Sequence, residues 1–249
     1  MRILEKNFQS ISKYLLPSAC IVCEQYQKDA ICSKCLKALD ADGLLNYICC
    51  YQCGIALKTS EIEDQRCEQC KFTSPYFDAT YCLDRYEGVL QNAIHQLKYH
   101  KRLSFAHGLA NVWNQVFSGQ LKTNNASYLL PVPLSEQKLC TRGFNQSWEI
   151  ARRISCCPNI RKLPDVLKRH HHATQQAGGR LATRRLAIQD MFYLDSNFTP
   201  LLRDKNLIVF DDVMTSGATL NEIARILKDN GAAHVINWVV LRTARAPYV

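Results

Sequence analysis

No run of apolar residues in this 249-residue chain approaches the roughly 20 that a membrane-spanning helix requires, so no span is expected. The opening segment MRILEKNFQSISKYLLP has its short apolar runs cut by Glu5, Lys6 and Lys13. It therefore lacks the continuous apolar centre of a secretory leader, and the expected compartment is the cytoplasm. A third absence is local. Between Asp165 and Asp190 there is no acidic residue, while Lys168, Arg169, Arg180, Arg184 and Arg185 accompany His170, His171 and His172. Such a segment suits a strip along a nucleic-acid backbone, beside the plainer reading of a solvated basic helix.

Cysteine, by contrast, is abundant. Of thirteen cysteines, eight fall in four Cys-x-x-Cys pairs. In a cytoplasmic protein that spacing suits metal better than disulfides. Cys20, Cys23, Cys32 and Cys35 form one group, and Cys50, Cys53, Cys67 and Cys70 a second. A Cys-x-x-Cys turn presents two thiolates one tetrahedral edge apart, and two such turns close a four-coordinate structural site with no open position for catalysis. Structural zinc, one ion per group, is the simplest expectation, with ligand sharing between the groups left open. Cys49, Cys82, Cys140, Cys156 and Cys157 stand outside the pattern and are expected to be buried small apolar residues or inert thiols.

Charge divides the chain at the same place. Residues 1–75 hold nine Lys or Arg and nine Asp or Glu, against 22 and 13 in the remainder, so the formal excess of +9 lies wholly in 76–249. Four thiolates on one zinc ion add a net −2, which would make the N-terminal part anionic, so its zinc-finger-like spacing is no argument for DNA binding. The expected organisation is a zinc-binding module over 1–75 and a larger domain over 76–249. Ahead of the first cysteines, Leu4, Phe8, Ile11 and Leu15 mark one face of a short helix ended by Pro17, expected to pack on the module.

From about residue 76, helix-like patterns at 88–97, 103–118, 143–154 and 217–229 alternate with strand-like runs at 127–133, 206–213 and 234–241, which predicts an α/β fold with a parallel sheet. Leu207 to Phe210 are continuously apolar, as in a strand buried on both faces, and the strand brings Asp211 and Asp212 to its C-terminal edge, where such sheets bind ligands. Thr215-Ser216-Gly217-Ala218-Thr219 then leads into a helix. A hydroxyl-rich loop at a helix N-terminus offers outward N–H groups and the positive end of the dipole to an anion, and Gly217 permits close approach of a phosphate. The two carboxylates would repel that phosphate, so ribose hydroxyls, a magnesium ion or both suit them better.

LIVFDDVMTSGAT closely resembles the phosphoribosyl pyrophosphate signature of type I phosphoribosyltransferases, with Ser216 in place of a threonine. The four Cys-x-x-Cys pairs, YEGVLQNAIHQLKYHKR at 86–102 and PVPLSEQKLCTRGFNQ at 131–146 narrow the resemblance to the ComF/GntX branch. The resemblance implies that Asp211, Asp212, Val213, Met214, Thr215, Ser216, Gly217, Ala218 and Thr219 bind phosphoribosyl pyrophosphate together with magnesium. It further implies that Pro133, Leu134, Ser135 and Arg142 form the diphosphate loop, and that Lys98, Arg169, Arg180 and Arg184 belong to a mobile loop or a DNA contact. Relatives tend to carry Leu and Asn where Gly179 and Ala187 stand.

The resemblance further implies a competence protein that assists passage of single-stranded DNA in natural transformation, with a helicase as partner. The alternative is an active phosphoribosyltransferase displacing pyrophosphate from the ribose by a nitrogen acceptor. No acceptor-binding group is readable in the sequence.

Overall fold

The computed structural model describes residues 18–42, 48–119, 125–170 and 191–244. The expected helix on Leu4, Phe8, Ile11 and Leu15 lies outside the described residues, as do His171, His172, Gly179, Arg180, Arg184, Arg185 and Ala187. In chain order, strands β1 (Ser18–Ala19) and β2 (Tyr26–Gln27) precede helix α1 (Ser33–Asp42), helix α2 (Glu68–Phe72) and strand β3 (Ala79–Arg85). Helices α3 (Gly88–Tyr99) and α4 (Ser104–Val116) lead to β4 (Tyr128–Pro131), α5 (Glu136–Arg142) and α6 (Gln146–Ala151). After β5 (Arg161–Lys162), β6 (Leu167–Arg169), β7 (Phe192–Leu194) and α7 (Thr199–Leu202) come β8 (Asn206–Met214), α8 (Ala218–Asp229) and β9 (His234–Arg242).

Five of these strands form one sheet in the order β3-β9-β8-β4-β5, every pairing parallel. β8 lies at its centre. Leu207 and Val209 point into one apolar cluster and Ile208 and Phe210 into the other, all four fully buried, which is why the strand shows no polar alternation. On the face of Ile208 and Phe210, α3, α4 and α6 cover the sheet, with Trp113 of α4 wholly buried between Phe210 and Trp238, their ring centroids 5.8 and 5.6 Å away. On the opposite face α8 brings Leu220, Ile223 and Leu227 against Val209 and Val239.

The expected helix over 143–154 is shorter and begins later, at Gln146, because Asn145 caps it. The separate helix α5 and the edge strand β3 were not predicted. β3 reads ATYCLDR, neither a continuous apolar run nor a regular alternation, and it pairs with β9 rather than with a neighbour in sequence.

The two cysteine groups dock on different faces. Cys20, Ile21 and Ile31 join the cluster beneath α3 and α4. Ile21 fits where Gly108 of α4 has no side chain: a Cβ there would stand 2.4 Å from Ile21 Cγ2. Cys50, Cys53, Cys67 and Cys70 belong to the opposite cluster with Phe77 and Met214. The segment around Cys53 is held at the sheet edge by Thr80, whose N–H donates to Tyr51 O at 3.0 Å and whose hydroxyl donates to Gln52 O at 2.7 Å.

Candidate phosphate loop, acid pair and cysteine centres

β8 continues through both acids to Met214, which pairs with Arg242 of β9. The chain then turns at Gly217, whose φ of 79° is left-handed; the N-cap itself has no side chain, and Ser216 Oγ accepts from Ala218 N at 3.4 Å. A Cβ on Gly217 would also stand 2.6 Å from Met214 Cε, so both conformation and space demand glycine. Thr215 and Ser216 are exposed at the helix entrance. Asp211, Thr215, Gly217, Ala218 and Thr219 line a hollow of about 30 Å³. A helix N-terminus with glycine at its N-cap, fronted by two exposed hydroxyls, is an anion-binding arrangement. Met214 differs in kind from its neighbours. It is 2% exposed, and its side chain belongs to the core beneath the loop.

Arg242, which the sequence reading passed over, fixes the loop from behind. Its guanidinium is buried and donates to Met214 O at 3.2 Å, to Thr215 O, and to Cys53 O at 3.0 Å. One side chain thus ties the loop to the second cysteine group. No motif marks it, since an arginine ending a buried strand resembles any strand terminus.

The two acids have unequal surroundings. Asp212 is 3% exposed; its Oδ1 accepts from Gln146 Nε2 at 2.9 Å, and its Oδ2 forms an ion pair with Lys98 of α3. Burial works against the Lys98 ammonium, but the touching Asp212 carboxylate, with Asp211 behind it, outweighs burial and raises the lysine pKa above its ordinary value. Asp211 accepts at Oδ1 from Ser147 Oγ at 3.0 Å and from Asp212 N at 2.9 Å. Burial, and then the charge of Asp212, push Asp211 up to about 7. With one oxygen of Asp212 held by an amide and the other by an ammonium, a divalent cation at this carboxylate would meet the buried Lys98 charge.

Three consecutive residues position the pair. Asn145 donates to Val132 O at 2.9 Å and caps α6 through Ser147 N and Trp148 N, so Gln146 reaches Asp212 while Ser147 reaches Asp211. The segment RGFNQS is therefore the support of the acid pair, of which the sequence reading singled out only Arg142. Arg142 itself donates to Gln146 Oε1.

Pro133, Leu134 and Ser135 are half-buried in the turn between β4 and α5, and Ser135 Oγ caps α5 by accepting from Lys138 N at 3.4 Å. Burial, then the charges of Arg169, Arg142 and Lys98, depress the Lys138 pKa, so these cations share one field on the acid-pair side of the turn. Lys138 was not anticipated, because its exposed α5 was not predicted. Lys98, expected at a loop or DNA contact, faces inward with its side chain only 17% exposed.

Both cysteine groups are assembled as the spacing suggests, four residues each and without exchange between groups. Sulfurs at the corners of a tetrahedron with metal bonds of about 2.3 Å stand about 3.8 Å apart. Cys53 Sγ and Cys67 Sγ are 3.7 Å apart, and within each group all four sulfurs lie within 4.8 Å of one another. Backbone N–H groups already point at sulfur, from Cys32 to Cys20 at 3.4 Å and from Cys35 to Cys32 at 3.3 Å. At Cys20 burial opposes the thiolate, but N–H groups of Cys23, Cys32 and Val22 outweigh it and bring the thiol down to about 7. Each group could hold one zinc ion. Among the other cysteines Cys82 is buried as expected, whereas Cys140 is exposed on α5.

Residues 144–248 match the family model of the phosphoribosyl transferase domain. The chain is 28% identical over 216 residues to the DNA utilization protein YhgH of Escherichia coli O6:H1, covering 86% of this chain and 90% of that protein. It is 28% identical over 233 residues to competence protein F of Haemophilus influenzae, covering 90% and 96% respectively. Competence protein ComFC of Streptococcus pneumoniae matches 134 residues at 25% identity, 54% of this chain and 56% of that one. The first two relatives span most of this chain and carry competence or DNA-utilization names, so the chain is similar to ComF-type competence proteins and carries a phosphoribosyltransferase-type domain over 144–248.

Proposed function

We propose that this protein binds phosphoribosyl pyrophosphate at the C-terminal edge of its sheet and serves in the handling of single-stranded DNA during competence. The observation that carries the reading is the placement of a helix N-terminus with a glycine at its N-cap, together with Thr215 and Thr219, in one hollow with Asp211. That combination suits a ligand with a phosphate at one end and hydroxyls a few ångströms away. The loop takes the 5-phosphate, Asp211 faces the ribose hydroxyls with Asp212 behind it, and the 133–135 turn with Lys138 and Arg142 takes the diphosphate. Magnesium accompanies the diphosphate. Zinc in the two cysteine groups is structural and holds the segments that flank the sheet. The DNA role draws on the names of the relatives and on the excess of cations in residues 76–249.

The test is calorimetric titration with phosphoribosyl pyrophosphate and magnesium on the wild type and on Ser216→Asp. Ser216 is exposed, so a carboxylate there leaves the core untouched while repelling the phosphate. Binding by the wild type and a loss of at least about tenfold in the variant, roughly 1.4 kcal/mol, is the expected result. Equal affinity would move the phosphate away from this loop. Replacing both acids is a poorer test, because Asp212→Asn would leave the Lys98 ammonium buried without its partner, at a cost of about 3–5 kcal/mol in stability.

A further inference from the structure

In the acid pair, one member is already neutralised from within. Lys98 reaches from the last turn of α3, and its ammonium meets Asp212 Oδ2 where Asp212 is 3% and the lysine side chain 17% exposed. Gln146 Nε2 fills the other oxygen at 2.9 Å, and Gln146 is in turn held by Arg142. A divalent cation coordinating Asp212 would have to displace a buried ammonium or sit against it, and either is costly at this depth. Neutral hydroxyl donors meet no such penalty, and Asp211, whose Oδ1 is oriented by Ser147, remains beside the phosphate loop to accept them.

We propose that Lys98 is the resident counter-ion of the acid pair, so that a 5-phosphorylated ribose is recognised here with no divalent cation bridging it to Asp211 and Asp212. Any magnesium in a diphosphorylated ligand is held by the diphosphate and not by the acids. Lys98 is thus a positioning residue, fixing Asp212 and through it Gln146. The inference rests on the reading of this edge as a ribose-phosphate site and adds how that site is balanced electrically.

Ribose 5-phosphate is the decisive probe, because it keeps the phosphate and hydroxyls but lacks the diphosphate that chelates magnesium. Zinc-replete wild type is titrated in buffer without added divalent cation and again with millimolar magnesium; chelators are avoided so that the cysteine centres keep their metal. The expected result is the same affinity in both buffers. Magnesium should leave the melting temperature of the wild type unchanged but raise that of Lys98→Met, where the uncompensated Asp212 carboxylate becomes available to a cation. A wild type that gains about tenfold or more in ribose 5-phosphate affinity from magnesium overturns the proposal. It also falls if phosphoribosyl pyrophosphate binds but ribose 5-phosphate binds in neither buffer. Should Lys98→Met not fold, the wild-type titrations decide alone. Failure of both ligands to bind in either buffer overturns the underlying site reading, and the inference with it. Binding of phosphoribosyl pyrophosphate that is lost in Ser216→Asp, combined with magnesium-dependent ribose 5-phosphate binding, leaves that reading standing and removes only the role of Lys98.

Discussion

Asp211 and Asp212 are adjacent in sequence yet carry opposite electrostatic burdens, and the difference is measurable as a dependence of stability on pH. Asp212 has a cation in contact, whereas Asp211 has burial and a neighbouring negative charge, which raise it from 3.8 to about 7. Between those values the folded protein holds a proton at Asp211 that the unfolded chain has released. Stability therefore falls as pH rises from about 4 to about 7, and above that range the loss is complete. Asp211→Asn keeps an Oδ1 acceptor for Ser147 and removes the titration. Urea denaturation at pH 5 and pH 8 should show the variant gaining on the wild type toward pH 8. A constant difference between the two would mean that Asp211 titrates as an ordinary exposed carboxylate.

At the scale of elements, one contact in the attachment of the first cysteine group to α4 can be tested by itself. Gly108→Ala puts a methyl group where Ile21 already sits, 2.4 Å from its Cγ2, an overpacking of about 1–3 kcal/mol. Alanine in a helix interior returns about 1 kcal/mol over glycine, so the single change should be neutral to moderately destabilising. In an Ile21→Ala background the clash is gone, only the helical gain remains, and the same substitution should become stabilising. Thermal or denaturant unfolding of the four proteins measures this coupling, and additive effects would remove the contact from the docking account.

The same scale explains what the sequence made legible. Central β8 and β9 and helices α3, α4 and α8 could be read because each is long and governed by its own pattern, and β8 announces its burial by having no polar alternation. Edge strand β3 and helix α5 could not, since β3 forms by pairing with residues some 150 positions away and α5 buries nothing. At the site, the loop and the acids were legible as a contiguous signature. Lys98, Gln146, Ser147 and Arg242 act through partners distant in sequence, and only the fold brings those together.

Over the whole molecule, charge decides which ligands can approach. The chain's excess of +9 belongs to residues 76–249, and among the described residues Lys138, Arg142 and Arg169 gather on the acid-pair side of the sheet edge. Lys98 is already committed to Asp212, so it contributes little to the outward field. If single-stranded DNA is taken up by the basic surface, its binding releases counterions, and affinity for oligo-dT should fall with salt at a log–log slope of roughly −0.7 per phosphate contacted. About four contacts would weaken binding some fifty-fold between about 50 and 200 mM salt. Ribose 5-phosphate, a single small dianion held by a helix terminus and hydroxyl acceptors, should lose far less over the same range. The two ligands therefore separate the two surfaces in one purified protein: Ser216→Asp should reduce sugar-phosphate binding with little effect on oligo-dT, and replacement of Arg169 should flatten the salt slope for DNA by a little under one unit. An oligo-dT affinity indifferent to salt would take DNA off this surface and leave the sugar-phosphate loop as the function-bearing site.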